Sequence, residues 1–129
     1  MNTRCLSGLA LVLASLLIGC ATLPPAQPAT DLNSIADKWV GFVTDTRNQP
    51  RFRATLTVTR DGTYEHSVPG LAGSPFIGTV SVVDGKFVWK STSVRGLIGI
   101  YVLHEGDGKR VLTSAGEGTS ATGEYEPAK

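Results

Sequence analysis

The chain has 129 residues, with 12 basic and 11 acidic side chains, two cysteines and a formal net charge of +1. A near-neutral chain without a long basic run argues against a nucleic-acid partner and against electrostatic capture of acidic substrates. Its length suits one modest domain behind an N-terminal targeting stretch.

The first residues carry Arg4 and the amino terminus, then an apolar run of roughly 14 residues from Cys5 to Ile18. That is the order of a secretory signal. The run is short of the ~20 apolar residues a membrane span needs. Removing it leaves the basic and acidic side chains balanced at 11 each. At its end, Leu17-Ile18-Gly19-Cys20 resembles a bacterial lipobox. The resemblance implies cleavage between Gly19 and Cys20, and acylation of the Cys20 thiol. Cys5 leaves with the signal, so the mature domain has no second cysteine for a disulfide. A catalytic thiol would need structured surroundings, and Cys20 sits between a signal and a proline-rich stretch. Two or three acyl chains anchor a protein where a single one holds it only marginally. Ala21 after the cysteine, in place of an Asp, implies outer-membrane delivery facing the periplasm in a Gram-negative host.

Residues 21–30, ATLPPAQPAT, hold three prolines among small residues and read as a semi-stiff, solvated tether. The next piece, TDLNSIADKW, suits one helical turn capped by Asp31 or Ser34, with Leu32, Ile35 and Ala36 inward. Short β patterns follow. In RFRATLTVTR, Phe52, Ala54, Leu56 and Val58 alternate with Arg and Thr, a period of two that gives one apolar and one polar face. Asp61-Gly62, Asp84-Gly85 and Asp107-Gly108 lie between such segments and suit type I′ hairpins. Eight strands are expected, at Lys38–Asp45, Arg51–Arg60, Thr63–Val68, Phe76–Val83, Lys86–Ser91, Leu97–Glu105, Lys109–Ala115 and Thr119–Glu126. The fold class is all-β: a small antiparallel up-and-down barrel preceded by a short helical turn, with a two-sheet sandwich as the alternative. The domain organisation is then signal peptide 1–19, lipidated cysteine and tether 20–30, and barrel 31–129.

The helical turn, DKWVGF opening the first strand, the Asp-Gly hairpins and the closing ATGEYEP resemble the lipocalin and avidin group of small barrels. In that group a Trp near the start of the first strand plugs the barrel floor, a place taken here by Trp39. Lipocalins have Gly two residues before that Trp, where this chain has Asp37. The resemblance implies binding of a small apolar or amphipathic molecule inside the barrel, with Trp39, Trp89 and Tyr101 as candidate lining. A filled core made of the same aromatic residues is the competing reading.

GLIGIYVL, residues 96–103, is apolar on both alternating faces. Either the N-terminal turn covers it, or Ile98 and Ile100 form a protein-interaction surface. His66 and His104 each neighbour a Glu that points to the opposite strand face, so neither pair chelates by itself, and both histidines read as surface residues. No Gly-x-Ser-x-Gly elbow is present, and Glu124 and Glu126 form a hydrolytic pair only if buried. The sequence therefore suggests a lipid-anchored envelope protein with no catalysis, metal or cofactor, acting as a binding or protein-interaction module. A lipocalin-like carrier of a small apolar ligand is the alternative, and a hydrolase the third reading.

Overall fold

A computed structural model describes residues 23–45, 47 and 50–129. The signal, the Gly19/Cys20 cleavage site and the lipidation site lie outside the described residues. The elements are β1 (Ala26–Gln27), a 3-10 turn (Leu32–Ser34), β2 (Lys38–Asp45), β3 (Arg51–Val58), β4 (Thr63–Ser67), β5 (Phe76–Val83), β6 (Lys86–Ser91), β7 (Ile98–Gly106), β8 (Lys109–Gly116) and β9 (Ala121–Pro127). Each of the eight expected strands is present, with shifts of one or two residues at some ends.

Strands β2 to β9 pair antiparallel in chain order, and β9 returns to β2, so the sheet closes into an eight-stranded barrel rather than a sandwich. Closure leaves no long free edge. Alternation holds on β3, where Ala54, Leu56 and Val58 are buried and Arg51 is exposed.

An up-and-down barrel places alternate connections at opposite ends. All three Asp-Gly turns fall at one end. Asp84-Gly85 and Asp107-Gly108 have positive φ at both residues (50° and 75°, 52° and 76°), as a type I′ turn requires. At Asp61-Gly62 only the glycine is left-handed, with φ 89°. There Gly62 N donates to Thr59 O and Thr59 N to Thr63 O, so this is a wider turn than type I′. The Asp61 carboxylate accepts from the hydroxyls of Thr59 and Thr63, which holds it below the usual carboxylate range.

The same end is closed by the N-terminal segment. Asp31 caps the 3-10 turn, its carboxylate accepting from Asn33 N at 2.9 Å. Ile35 and Trp39 are fully buried beneath it, and Trp39 Nε1 donates to Ile35 O at 3.0 Å. Arg110 on β8 donates to Ser34 O at 2.6 Å, and its guanidinium carbon stands 5.0 Å from the Trp39 ring centroid. Trp39 thus sits where the resemblance implies, at the floor.

The proline-rich stretch is not a free tether over its described part. β6 pairs with β7 only up to Tyr101, which leaves the rest of that β7 edge open. β1 fills the gap opposite Leu103 and His104. Prolines lack an N–H but keep their carbonyls. Glu105 N donates to Pro25 O at 3.0 Å, and His104 Nδ1 lies 3.0 Å from Pro24 O. Gln27 Nε2 reaches Glu105 O at 3.1 Å.

Candidate ligand cavity

The opposite end carries the four looser connections, and the barrel interior is open beneath them. Three inward aromatics shape it. Across strand pairs, Tyr64 faces Gly78, Trp89 faces Gly99 and Tyr125 faces Gly41. A methyl group on Gly78 would approach Tyr64 Cε2 to 2.7 Å, and one on Gly99 would approach Trp89 Cε2 to 2.6 Å. The Tyr64 and Trp89 rings lie over cross-strand glycine backbone, and the Tyr125 ring lies over Gly123 of its own strand, an arrangement that lets strands bend tightly while an aromatic covers the glycine. Large rings therefore lie along the wall instead of filling the centre.

What remains is a cavity of about 250 Å³ lined by Tyr64, His66, Trp89, Tyr101 and Tyr125, with Leu71 and Phe76 at the loop side. Tyr64, Trp89 and Tyr101 meet as a cluster, with centroids 6.0 to 6.3 Å apart. Among the described residues, no Asp, Glu, Lys or Arg lines the space.

Besides the hydroxyls of Tyr101, Ser114, Thr119 and Thr122, the wall carries two sets of polar groups. Tyr125 Oη and His66 Nε2 share a hydrogen bond of 2.7 Å. Burial lowers the His66 pKa to about 4 and pushes the Tyr125 hydroxyl up, so both are neutral near pH 7. Burial also raises Tyr101. The second set is unsatisfied: Tyr64 Oη and Trp89 Nε1 are buried with no hydrogen-bond partner among the described residues. Burial raises the Tyr64 pKa, with the Ser91 hydroxyl pulling weakly the other way. That hydroxyl also accepts from Val94 N at 2.9 Å and faces Ile77 O at 3.4 Å.

Of the sequence-derived candidates, Trp89 and Tyr101 line the cavity, and Trp39 does not; it belongs to the floor. Ile98 and Ile100 face outward from β7 and are half-buried. The N-terminal segment covers only the far end of that strand, so they border a shallow outer hollow with Val83 and Val88. The strongly exposed apolar residues are Val40, Ile77, Val82 and Val83. Glu124 and Glu126 are exposed on the outer wall, where a broader hollow of about 940 Å³ is lined mainly by outward residues such as Phe42, Arg51 and Arg53. Arg51 covers the Phe42 ring there, 3.9 Å from its centroid.

The histidine reading needs correction. His66 faces inward against Tyr125 and Phe76 instead of lying on the surface, and His104 is half-buried against Pro24 and Thr113. Among the described residues, no three His, Cys, Asp or Glu side chains converge as a metal site would require. Tyr64, His66 and Tyr125 were missed by sequence reasoning. The available signal was the alternation in TYEHS, which puts Tyr64 and His66 on one face, and the glycines that recur at inward positions. Compared with protein-family models, with curated proteins and with solved structures, the chain gives no match.

Proposed function

We propose that this is a lipid-anchored envelope protein whose barrel binds one small, largely apolar molecule and does no chemistry on it. The observation that carries the reading is the uncharged, aromatic-walled cavity at the end away from the N-terminal segment. Ligand sites are concave, mostly apolar and carry a few polar groups, and about 250 Å³ lies just below the usual range of ~300–1,000 Å³.

The lipobox supplies the anchoring half of the proposal. If Cys20 carries the lipid, only about 14 Å of fully extended chain separates it from Pro24. Pro24 lies against Gly106, beside the Asp107-Gly108 turn. The closed end then faces the outer membrane and the mouth faces the periplasm, so the ligand enters from the aqueous side. Cys20→Ala is expected to move the protein from the membrane to the soluble fraction, and unchanged retention would refute the anchor. Titration with 2-ethylnaphthalene is expected to shift the Trp89 indole N–H resonance while leaving that of Trp39 in place. No saturable shift would refute the binding reading.

A second reading, contact with another envelope protein, is favoured by Ile77 and Val83, which are 46% and 47% exposed on β5. It predicts crosslinking from residues substituted there, and Ile77→Ser would abolish such a crosslink.

A further inference from the structure

We infer that Val82 and Val83, at the tip of the β5–β6 hairpin, insert into the lipid leaflet that holds the anchor, so that the barrel rests on its membrane through this turn. This rests on the anchoring half of the reading above and adds to it a second contact with lipid, made by the fold itself. Three observations converge on that contact.

The first is reach. Pro24 and Pro25 pack on Gly106, where an added methyl group would meet Pro25 Cδ at 3.1 Å and Pro24 Cβ at 3.5 Å. Glu105 N donates to Pro25 O, and Gln27 Nε2 donates to Glu105 O. The chain is thus fixed to the barrel from Pro24 onward, and only residues 21–23 separate Pro24 from Cys20. Fully extended, that link spans about 14 Å. The headgroup layer of one leaflet is about 5–8 Å thick, so much of the link lies within it once the acyl chains are buried. The floor end is held against the lipid rather than suspended away from it.

The second is place. The fixed strap runs from Gly106 to the β5–β6 turn, where Ala29 N donates to Gly85 O at 3.2 Å. Val82 and Val83 stand directly before the Asp84-Gly85 turn. The neighbouring strand β4 ends at Thr63, opposite Thr79, so the last part of β5 runs on past it. The other two turns at this end, Asp61-Gly62 and Asp107-Gly108, are flanked by Arg60 and by Lys109. Neither of them presents an aliphatic side chain.

The third is exposure. Successive strand residues point to opposite faces. Val82 continues the inward row of Gly78 and Val80, both buried, and Val83 continues the outward row. Both are nonetheless open, at 38% and 47%. A hairpin that shows valine on both sides projects clear of the barrel wall. Of the other strongly exposed apolar residues, Ile77 stands at the opposite end of β5, and Val40 lies on the outer wall between Thr55 and Glu126. Asp84 and Lys86 beside the valine pair offset each other in charge. The contact therefore draws on burial of apolar surface rather than on anionic lipid.

The test places a thiol-reactive nitrobenzoxadiazole label at Val83→Cys or, as the control at the mouth end, at Ile77→Cys. The full lipidated protein is reconstituted into vesicles of phosphatidylethanolamine and phosphatidylglycerol, with or without doxyl-labelled phospholipid as quencher. The label at residue 83 is expected to shift its emission to the blue and to lose intensity to the doxyl lipid, while the label at residue 77 does neither. Adding Val82→Asp should reduce the quenching at residue 83, and Val82→Ser supplies a milder change, with an unaltered Trp39 indole resonance as the check on folding. Quenching unaffected by either substitution would overturn the role of the valine pair. A label at residue 83 that emits as in water, on protein retained by the vesicles, would overturn the insertion and leave the anchor intact. A blue shift without quenching would mean that protein covers the turn, which also overturns it. The protein without an added cysteine is expected to take no label, because its one mature thiol carries lipid. Labelling at Cys20 together with loss from the vesicles would overturn both anchor and insertion.

Discussion

The two tryptophans sit at opposite ends of one barrel and illustrate two uses of the same side chain. Trp39 is fully buried, its N–H donates to Ile35 O, and Arg110 covers its ring. Trp89 is nearly as buried, but its N–H has no partner among the described residues and its ring borders the cavity. The closed end is satisfied and filled by the chain's own N-terminal segment. The open end retains unfilled volume and two unpaired donors. The proposed binding reading places the ligand at the mouth, where packing is incomplete, and the floor is where the chain packs against itself.

That contrast is breakable. Trp39→Ala should cost about 3–5 kcal/mol, as truncating a large buried aromatic does, and should show as a large fall in the denaturation midpoint. If Trp89→Ala destabilises as much, the two ends are not energetically distinct. Acid comes next in size. The folded-state pKa of His66 is depressed from 6.5 to about 4 by burial. Above pH 6.5 the ring is neutral in both states and exerts no effect. As pH falls from 6.5 towards 4 the unfolded chain takes up a proton that the folded one refuses, so stability declines by about 3 kcal/mol and then levels. His66→Gln, which keeps an acceptor for Tyr125, should flatten this window in pH-dependent unfolding. Arg110→Ala removes the donor to Ser34 O and the cover over Trp39, for an expected loss of about 1–2 kcal/mol. Its ion pairs with Asp37 and Glu105, both at 3.6 Å and half-exposed, add little. The smallest effect sharpens the comparison most. Tyr64→Phe deletes an unsatisfied buried hydroxyl and should leave the ligand-free protein unchanged or slightly more stable. A clear destabilisation in thermal unfolding would mean that this hydroxyl is satisfied after all.

Much of the architecture was legible because strand alternation and Asp-Gly turns are local signals. RFRATLTVTR and the paired positive φ values at Asp84-Gly85 and Asp107-Gly108 report on backbone geometry that neighbouring residues decide among themselves. The helical turn before Trp39 is local too, and Asp31 is its cap. The cavity wall was only partly legible. Trp89 and Tyr101 were found by their bulk, but Tyr64, His66 and Tyr125 resemble any other inward strand residue until their partners are known. Asp61-Gly62 shows the limit at short range: the same dipeptide makes a wider turn where Thr59 and Thr63 hydroxyls bond the Asp carboxylate.

By itself, then, the sequence determined an all-β chain with its strands and tight turns, because these follow from residues within a few positions of one another. It also carries the lipobox pattern at Cys20 that motivates the anchor. Only the tertiary structure decided what the barrel contains. Whether aromatics fill a core or line a hollow depends on what stands opposite them across a strand pair. Gly78 and Gly99 lie 14 and 10 residues from Tyr64 and Trp89. Those pairings exist only once the sheet has closed in register, and with them come the space at the mouth and the two donors left without partners.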